Sequence, residues 1–457
     1  MKNRVASILL AVALILGVGL VGCGGEQVPQ YNLTISSTEG GEITTLGDGT
    51  FGYEEGTEVP LMALPHTGYR FANWTGDVST IANINAASTT ITMNGDYSIT
   101  ANFAIKQHDL VIRSTEGGSV TTPGEGAFIY DEGEVVTLVA VADGGYQFID
   151  WTGDISTIAD VNAASTTITM DGHCITANFA KEIYDWHDLD AMRDNLDGNY
   201  ILMSDLDSNT AGYTNLASRT ANGGSGWRPI AQFHPGAISG SFDGQGYKIR
   251  DLFINRPGES GVGLFGLVAV SGVVADIDIV NASVTGWYAV GILVGWNHGT
   301  VSDSYAAGMV TGSWWVGGLV GRNEWSGHVS SCYSAGSVTG DEYIGGLVGS
   351  NGGSGAVSNC YSTGTVRGDA HVGGLVGHNC FDTGEGTVSD SFWNNQTSGQ
   401  ATSDGGTGKT TIEMKTVATF SGAGWNIVGV ANPGTRNSSC TWNIVDGQSY
   451  PFLSWQS

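Results

Sequence analysis

Basic residues are scarce in this chain. Lysine and arginine together number 17, against 44 aspartates and glutamates, so the formal net charge is −27 at pH 7. Proteins bind nucleic acids through basic surfaces that neutralise phosphates, and this balance argues against a nucleic-acid partner. The same excess of acid disfavours non-specific contact with anionic membranes.

Cysteines are few, and none belongs to a metal-binding or redox pair. The chain has six of them and no C-x-x-C. Five follow Cys23: Cys174, Cys332, Cys360, Cys380 and Cys440. The sequence also lacks H-E-x-x-H and G-x-S-x-G, the motifs of zinc peptidases and serine hydrolases. We therefore predict no metal, no cofactor and no catalytic residue.

Charged residues make up only 13% of the chain, but this composition does not indicate disorder. Hydrophobic residues reach 41%, and 13 tryptophans are available for a core. Glycine supplies 71 of the 457 residues, about twice its usual share. Such a composition is typical of a protein rich in β-strands and turns.

Beyond the N-terminus, no hydrophobic run approaches the ~18 residues of a membrane helix. At the N-terminus, Lys2 and Arg4 precede an apolar run at 6–21, and Cys23 follows small residues. The pattern is a secretory signal, and its end resembles a bacterial lipobox, which implies cleavage before Cys23 and lipidation of that residue. An uncleaved membrane anchor is the alternative. We expect a protein tethered to a membrane by acyl chains and lying outside the cytoplasm.

Two copies of one sequence occupy residues 31–180. WTGD begins at Trp74 and Trp151, and NAASTTITM begins at Asn85 and Asn162, an offset of 77 residues in both cases. Each copy reads as short strands separated by Gly-Gly and Asp-Gly steps, which predicts a small β domain with its tryptophan in the core. The frame of GG, F-x-x-W-x-G-D and ANF resembles the divergent internalin-type B-repeat of bacterial surface proteins.

A shorter phrase recurs in the C-terminal half. GLFG begins at Gly263, and GILVG or GGLVG begins at Gly291, Gly317, Gly345 and Gly373, in steps of 28, 26, 28 and 28 residues. A period in the twenties with strand-like patterning predicts a β-solenoid, whose coils pair as parallel strands about 4.8 Å apart. The glycines are expected to permit positive φ and close approach at the corners.

Stacked coils place like residues above one another, so the phrase predicts columns of similar side chains. Two aliphatic columns are expected inside the solenoid, at Val290, Val316, Ile344 and Val372 and at Leu293, Leu319, Leu347 and Leu375. An amide ladder is expected at Asn297, Asn323, Asn351 and Asn379. An aromatic column is expected at Tyr305, Tyr333, Tyr361 and Phe392.

The phrase G-G-L-V-G-x-N followed by S-x-C-Y-S-x-G-x-V resembles the GLUG motif of bacterial surface adhesins and of the N-terminal region of IgA-specific metallopeptidases. The flanking stretches DLDAMRDNLDGNYILMSDLD, FDGQGYKI and TSGQATSDGGTGKTTIEMK are similar to those that border such arrays. The resemblance covers residues 183–455 and implies a right-handed parallel β-helix on a cell surface. It does not imply peptidase activity, because H-E-x-x-H is missing.

We therefore predict an all-β fold: two small β-repeat modules followed by a right-handed parallel β-helix with a short N-terminal capping helix. The predicted boundaries are 1–22 for the signal peptide, 23–30 for a tether, 31–104 and 108–180 for the modules, 183–262 for the cap and first coils, 263–400 for the GLUG-type coils and 401–457 for a C-terminal cap. A hinge is expected near Lys181.

Three other patterns invite a chemical interpretation. GGTGKT at 405–410 lacks the first glycine of a P-loop, because Ser403 stands there. A polar connection leading into a short helix (TTIEMKTVATF) is favoured, and no nucleotide is expected. The D-x-D-x-N pattern from Asp205 lacks the glycine and glutamate of a calcium loop, so a solvated turn is favoured. Cys332 and Cys360 lie one period apart, and ladder packing is favoured over a disulfide.

One part of each coil varies. The three residues before each V-G step are Trp287-Tyr288-Ala289, Ser313-Trp314-Trp315, Asp341-Glu342-Tyr343 and Asp369-Ala370-His371. Aromatic faces stack on sugars and dominate protein interfaces. The candidate ligand-contact residues are therefore Trp287, Tyr288, Trp314, Trp315, Tyr343 and His371. The alternative is that these rings only cover the corner.

These observations favour a lipid-anchored, non-catalytic surface protein that binds an extracellular glycan or a matrix or cell-surface protein, with the repeat modules as spacers. Two alternatives remain open. One is a polysaccharide lyase or hydrolase built on the β-helix, and the other is a purely structural surface-layer or stalk protein.

Overall fold

A computed structural model of the chain describes residues 27–232, 236–381 and 384–456. The predicted signal peptide and the lipidation site at Cys23 lie outside the described residues. The chain forms two compact units. One comprises the residues up to Asp109 with Ile129–Val135 and Thr169–Gly172, and the other comprises the rest.

Each repeat module consists of seven short strands. The first module contains β1 (Gln30–Ser37), β2 (Gly41–Ile43), β3 (Gly49–Glu54), β4 (Glu58–Pro65), β5 (Tyr69–Gly76), β6 (Ser88–Thr92) and β7 (Tyr97–Ile105). The second contains β8 (Gln107–Ser114), β9 (Gly118–Thr122), β10 (Gly126–Asp131), β11 (Val135–Ala142), β12 (Tyr146–Gly153), β13 (Ser165–Thr169) and β14 (His173–Ile183). In the first module, β1 pairs with β7 in parallel and with β3 antiparallel, and β4 pairs with β2 and β6.

The WTGD tryptophans lie in the cores of the modules, as predicted. Trp74 is 1% exposed, and its Nε1 donates to the carbonyl oxygen of Ala86 at 3.0 Å. Trp151 is equally buried, and its Nε1 donates to Ala163 at 3.1 Å. A buried indole whose N–H is satisfied stabilises a small domain without a polar penalty.

The second module continues directly into the solenoid. Lys181, where a hinge was expected, lies inside β14 and pairs with Tyr200 of β15 (Asn199–Leu202) in a parallel ladder. The expectation of a hinge is therefore wrong. The first solenoid strand would otherwise present unpaired backbone groups, and β14 covers that edge.

The helices within the described ranges are few and short. They are α1 (Trp186–Asp190), α2 (Tyr213–Leu216) and α3 (Val417–Ser421), with 3₁₀ turns at Ala191–Asp194, Ala221–Gly224 and Glu413–Lys415. The predicted capping helix is α1, which begins where the Asp185 side chain accepts hydrogen bonds from the backbone N–H groups of His187 and Asp188. Trp186 is fully buried, with its ring 5.5 Å from that of Trp227.

Four parallel sheets, one on each face of the coils, form the solenoid. Sheet I contains β19 (Ser260–Val262), β23 (Tyr288–Val290), β27 (Trp314–Gly317), β31 (Glu342–Gly345) and β36 (Ala370–Gly373). Sheet II contains β20 (Phe265–Val268), β24 (Val294–Asn297), β28 (Val320–Asn323), β32 (Val348–Asn351) and β37 (Val376–His378). Sheet III continues from β15 through β16 (Ser241–Asp243), β21 (Val273–Ala275), β25 (Thr300–Ser302), β29 (His328–Ser330), β33 (Ala356–Ser358) and β40 (Thr387–Ser389). Sheet IV contains β17 (Lys248–Arg250), β18 (Phe253–Asn255), β22 (Asp278–Thr285), β26 (Tyr305–Thr311), β30 (Tyr333–Thr339), β34 (Tyr361–Ser362), β35 (Thr365–Arg367), β41 (Phe392–Asn394) and β42 (Thr407–Lys409). The remaining strands are β38 (Cys380–Phe381), β39 (Gly384–Glu385), β43 (Ile427–Gly429), β44 (Trp442–Ile444) and β45 (Phe452–Leu453).

The predicted aliphatic columns are present. Leu319, Leu347 and Leu375 are fully buried, and backbone hydrogen bonds of 2.9 Å join Leu319 to Leu347 and Leu347 to Leu375. The glycine of each phrase is required by close approach, because a Cβ on Gly317 would lie 2.0 Å from the carbonyl oxygen of Val320. The repeated phrase is therefore a packing requirement of the coil.

The predicted amide ladder is also formed. Nδ2 of each asparagine donates to Oδ1 of the next, at 2.8 Å from Asn297 to Asn323, 2.8 Å from Asn323 to Asn351 and 2.7 Å from Asn351 to Asn379. The first three residues are fully buried. Each coil thus satisfies the buried polar groups of its neighbour.

The aromatic column lies beneath the C-terminal segment. The rings of Tyr305, Tyr333 and Tyr361 stack at 4.1 Å and 4.7 Å, whereas the ring of Phe392 packs against Phe420 at 5.4 Å. The hydroxyl groups of Tyr333 and Tyr361 donate to Gln456 Oε1 and to the Pro451 carbonyl oxygen, respectively. Burial raises the pKa of both phenols well above the usual value. The C-terminal segment thus covers the tyrosine face of sheet IV.

Cys332 and Cys360 are buried and not disulfide-bonded. The backbone N–H of Cys332 donates to Sγ of Cys360 at 3.3 Å, and the N–H of Cys360 donates to Oγ of Ser391 at 3.1 Å. The interpretation of this column as ladder packing is confirmed. A small polarisable group at this position accepts one hydrogen bond from the preceding coil.

The corner between sheets III and IV uses left-handed backbone. Asp276, Asp303, Ser331, Asn359 and Asp390 have φ values between 46° and 54°. Asp and Asn adopt this region more readily than most residues. The pKa of Asp276 is raised to about 7, because its carboxyl is buried and lies near Asp243 and Asp303. Stacking of coils thus brings like charges together.

Candidate functional site

The three variable positions of each coil lie at the corner between sheets IV and I. Tyr288, Trp314, Glu342 and Ala370 are paired in register, so the coils align as predicted. We call the exposed or half-buried rings of this corner the aromatic strip, which consists of Trp287, Tyr288, Trp314, Tyr343 and His371. Trp287 is 50% exposed and Trp314 is 40% exposed. Trp315 was predicted to contact a ligand, but it is 2% exposed and supports the strip from beneath.

Left-handed backbone at this corner is held in two of the four coils by bulky residues that rarely adopt it, Trp315 and Tyr343. Ala289, Trp315, Tyr343 and His371 have φ values of 53°, 54°, 60° and 50°. For a bulky residue such a φ is a true outlier, with a cost of about 1–2 kcal/mol. Asp, Asn and Ser hold the other left-handed corner. The aromatic corner therefore keeps aromatic residues at positions where they strain the backbone. Such strain is a feature of binding sites.

A pocket of about 560 Å³ opens at one end of the aromatic strip. Its lining consists of Gln232, Glu259, Ser260, Trp287, Tyr288 and Trp296. The rings of Trp287 and Trp296 flank Tyr288, with centroids 6.0 Å and 5.9 Å away and planes tilted by 43° and 60°. The ring of Tyr288 also lies 4.0 Å from that of Trp315, so the most open ring of the pocket is that of Trp287, which is half exposed. We call this site the strip pocket.

Arg322 holds the back of the strip pocket together. Its guanidinium carbon lies 3.9 Å from the ring centroid of Trp315 and 5.6 Å from that of Trp296. The Trp315 ring in turn lies 4.0 Å from Tyr288. Nη2 of Arg322 is 2.5 Å from Oε2 of Glu324, and both side chains are buried. A desolvated cation–π contact contributes about 2 kcal/mol, so Arg322 fixes the orientation of the rings.

Charges near the strip pocket are balanced. Oε1 of Glu259 lies 3.0 Å from Nη1 of Arg256, and its Oε2 accepts a 2.7 Å hydrogen bond from Nε2 of Gln232. On the other side, Arg322 is neutralised by Glu324. The pocket therefore presents aromatic faces with amide, hydroxyl and carboxylate groups at its rim and little net charge.

The far end of the aromatic strip is closed by its own rings. Tyr343 stacks on His371 at 4.8 Å with planes 22° apart, and it also contacts Trp314 at 5.8 Å and His378 at 4.9 Å. Desolvation lowers the pKa of His378. The exposed carboxylate of Asp341 precedes this end. Because its faces are covered, Tyr343 supports Trp314 and is itself little available to a ligand.

Family comparisons match both repeat systems. Residues 31–107 and 108–183 match the model of the divergent InlB B-repeat domain, and residues 312–339 and 340–367 match that of the GLUG motif. The chain carries two divergent B-repeat domains and a GLUG β-helix. The aromatic strip thus spans the two matched GLUG coils and the coils on either side of them.

Two curated relatives share short stretches with this chain. Halomucin of Haloquadratum walsbyi is 39% identical over 128 residues, which cover 28% of this chain and 1% of halomucin. A protein of Evansella cellulosilytica, described provisionally as a Gly-rich membrane protein, is 34% identical over 84 residues, or 18% of this chain and 10% of that protein. The chain therefore spans a tenth or less of either relative. The B-repeat and GLUG domains and these relatives fit a surface protein.

A solved structure from Bacteroides ovatus, described provisionally as an immunoglobulin A1 protease, is 19% identical to this chain. The similarity covers 61% of this chain and 93% of the other, with a TM-score of 0.44. Across the ranges that the structure describes, no helix is both long and apolar enough to cross a membrane.

Trp296 and Arg322 escaped sequence reasoning, although a signal for them exists. They hold the residue before the asparagine of the GLUG phrase, which reads VGWN, VGRN, VGSN and VGHN in successive coils. Their pairing in register places this variable position next to the strip. Gln232 and Glu259 come from coils outside the repeat and had no such signal.

The other candidate patterns have structural roles. Thr407–Lys409 forms β42, which pairs with β41, so this part of the predicted connection is a strand. The short helix predicted after it is present as the 3₁₀ turn at Glu413–Lys415 and α3. Oδ1 of Asp207 accepts hydrogen bonds from the backbone N–H groups of Asn209 at 2.7 Å and Thr210 at 3.1 Å, which makes a closed turn. Among the residues that the structure describes, no group of three His, Cys, Asp or Glu side chains is placed to hold a metal ion.

Proposed function

We propose that this chain is a non-catalytic protein of the cell envelope that binds an extracellular glycan in the strip pocket. The proposal rests mainly on the strained backbone of the aromatic corner between sheets IV and I. Trp315 and Tyr343 keep bulky rings on left-handed backbone. Trp315 supports Tyr288 in the strip pocket, and Tyr343 supports the exposed ring of Trp314 beside it. Pyranose rings present apolar C–H faces and polar edges, which match aromatic faces surrounded by amide, hydroxyl and carboxylate groups.

A glycan is favoured over a protein partner by the size of the site. The strip pocket has the volume of a small-ligand site. A specific protein interface buries about 1,200–2,000 Å² in total, and the exposed rings form only a narrow strip. The aromatic corner is flanked by exposed acids, which a protein partner would have to desolvate or pair.

The arrangement also favours binding over catalysis. Glycoside hydrolysis requires two carboxyl groups on either side of the scissile bond. Among the six residues that line the strip pocket, only Glu259 carries a carboxylate, and Arg256 and Gln232 engage both of its oxygens. The lining residues thus supply one carboxylate, whereas glycoside hydrolysis requires two.

Glycan-array screening followed by calorimetry tests the proposal. Trp287→Ala should weaken binding by about tenfold or more, the effect of losing a buried aromatic anchor. Trp325→Ala is the matched control, because Trp325 is 61% exposed, also has a left-handed φ of 61°, and has its ring 5.8 Å from that of His298. Equal losses in both variants, or an inert array, would refute a glycan site in the pocket.

Anchoring is proposed to occur through a lipid on Cys23, with the B-repeat domains between the membrane and the GLUG β-helix. A lipid-modified N-terminal cysteine would account for an exported chain of this kind. Metabolic labelling with a radioactive fatty acid should mark the wild-type protein and not Cys23→Ser. Equal labelling of both would refute this anchor.

A further inference from the structure

The strip pocket and the rings beside it carry an inference about ligand class, which rests on the proposed glycan-binding function. We infer that the site takes an uncharged pyranose chain of at least two residues, with one residue in the strip pocket and the next on Trp314. The charges around the site and the spacing of its rings both support this inference.

The charges around the strip pocket disfavour an anionic ligand. The two cations next to the pocket, Arg256 and Arg322, are each paired with a glutamate, at 3.0 Å and 2.5 Å. A carboxylate or sulfate ligand would have to displace Glu259 or Glu324 to reach them. Farther along the corner the exposed acids Asp341 and Asp369 would repel it. Uronic-acid chains are therefore excluded, and a neutral sugar requires no displaced ion pair.

The spacing of adjacent coils places the second subsite on Trp314. Trp314 belongs to the coil next to Tyr288, and the two residues are paired in register across sheet I. Adjacent parallel strands are about 4.8 Å apart, which is similar to the advance of a glycan chain per linked pyranose. Trp314 is 40% exposed, whereas Trp315 beneath it is buried. A chain that leaves the strip pocket along the solenoid axis would therefore meet the Trp314 ring next.

The same geometry indicates where the subsites end. The ring of Tyr343 is stacked on His371, and the rings of Trp314 and His378 also lie within 6 Å of it, so it offers little surface to a third sugar. Ligand affinity should rise from the monosaccharide to the disaccharide and then level off. Tyr343 acts as a positioning residue for Trp314.

Titrations with oligosaccharides of defined length test the inference. The probes are mono- to tetrasaccharides of β-1,4-linked glucose, mannose and N-acetylglucosamine, with galacturonic-acid oligomers as the anionic counterparts, followed by NMR. At least one neutral series should bind, with affinity about tenfold or more higher for the disaccharide than for the monosaccharide. The galacturonic-acid oligomers should bind at least tenfold more weakly than neutral oligomers of the same length.

Two variants separate the subsites. Trp287→Ala should weaken every length, whereas Trp314→Ala should weaken the disaccharide and longer chains and leave the monosaccharide within about twofold. Trp325→Ala serves as the control, and circular dichroism confirms the fold of each variant. Equal or tighter binding of galacturonic-acid oligomers would refute the inference that the ligand is uncharged. If Trp314→Ala weakened the monosaccharide as much as the disaccharide, the second subsite on Trp314 would be refuted. If no sugar of either series binds the wild type, the proposed function itself fails.

Discussion

The amide ladder inside the solenoid allows a quantitative prediction. Asn323 takes part in four hydrogen bonds. It accepts one from Asn297 at 2.8 Å and donates to Asn351 at 2.8 Å, to the Gly327 carbonyl at 3.0 Å and to the Ala356 carbonyl at 3.3 Å. Its side chain is fully buried. The substitution Asn323→Ala removes all four bonds and admits no bulk solvent.

The expected cost follows from these contacts. A buried acceptor left without a donor costs about 1–3 kcal/mol, and the truncated side chain leaves a cavity that adds to the loss. Oδ1 of Asn351 loses its ladder donor, while Nδ2 of Asn297 keeps its bonds to the carbonyl oxygens of Gly299 and His328. We expect Asn323→Ala to lower the free energy of opening of the adjacent coils by about 3–5 kcal/mol.

The matched control is the last member of the ladder. Asn379 accepts from Asn351 at 2.7 Å and donates to the Gly386 carbonyl at 3.0 Å, and it is partly exposed. Water can replace its partners, so Asn379→Ala should cost only about 1–2 kcal/mol.

Hydrogen exchange read by mass spectrometry measures both effects, because peptides from residues 312–339 and 340–367 report on the coils around the substitution. Protection in these peptides should fall far more in Asn323→Ala than in Asn379→Ala. Equal losses in the two variants, or a loss below about 1 kcal/mol at Asn323, would refute the reasoning that the ladder couples the coils.

Three further predictions concern other columns. The pKa of the Asp276 carboxyl is raised to about 7, so its ionisation costs stability as pH rises from about 4 to 7. Asp276→Asn should therefore raise the free energy of unfolding by an amount that grows from pH 5 to pH 8. At pH 8 we expect a gain of about 1–2 kcal/mol after allowance for solvent screening. Denaturant unfolding at both pH values checks this, and a gain that does not change with pH would count against it. Arg322→Lys should lower the unfolding free energy by about 1–2 kcal/mol, since an ammonium cannot both stack on Trp315 and hold Glu324, and an unchanged thermal midpoint would contradict this. Cys332→Ser should change the same quantity by less than about 1 kcal/mol, because Ser304 holds this column in the preceding coil, and a loss above about 2 kcal/mol would show that the sulfur packs in a way serine cannot copy.

The period of the sequence predicted the solenoid because stacked coils require similar side chains at equivalent positions. Once Leu319, Leu347 and Leu375 recur at a fixed step, only coils in register bury all three. The same logic predicted the amide ladder and the cysteine column. The same reasoning applies to any side chain whose partner is the equivalent residue of the neighbouring coil.

Features that depend on backbone direction or on distant segments could not be predicted in this way. Trp314 and Trp315 are adjacent and chemically identical, yet Trp315 is buried against Arg322 and Tyr288 whereas Trp314 is exposed. The tyrosine column was expected from the period, but its cover comes from a non-repeated segment, in which Gln456 accepts from Tyr333. Gln232 reaches the strip pocket from a coil that lacks the repeat.

A crystal structure of the protein with a neutral trisaccharide is the most direct test of the account. We predict one pyranose ring between Trp287 and Trp296 and a second ring against Trp314, with the Arg256–Glu259 ion pair intact. A sugar bound elsewhere on the solenoid, with the strip pocket empty, would contradict the central claim that the aromatic corner is the recognition site.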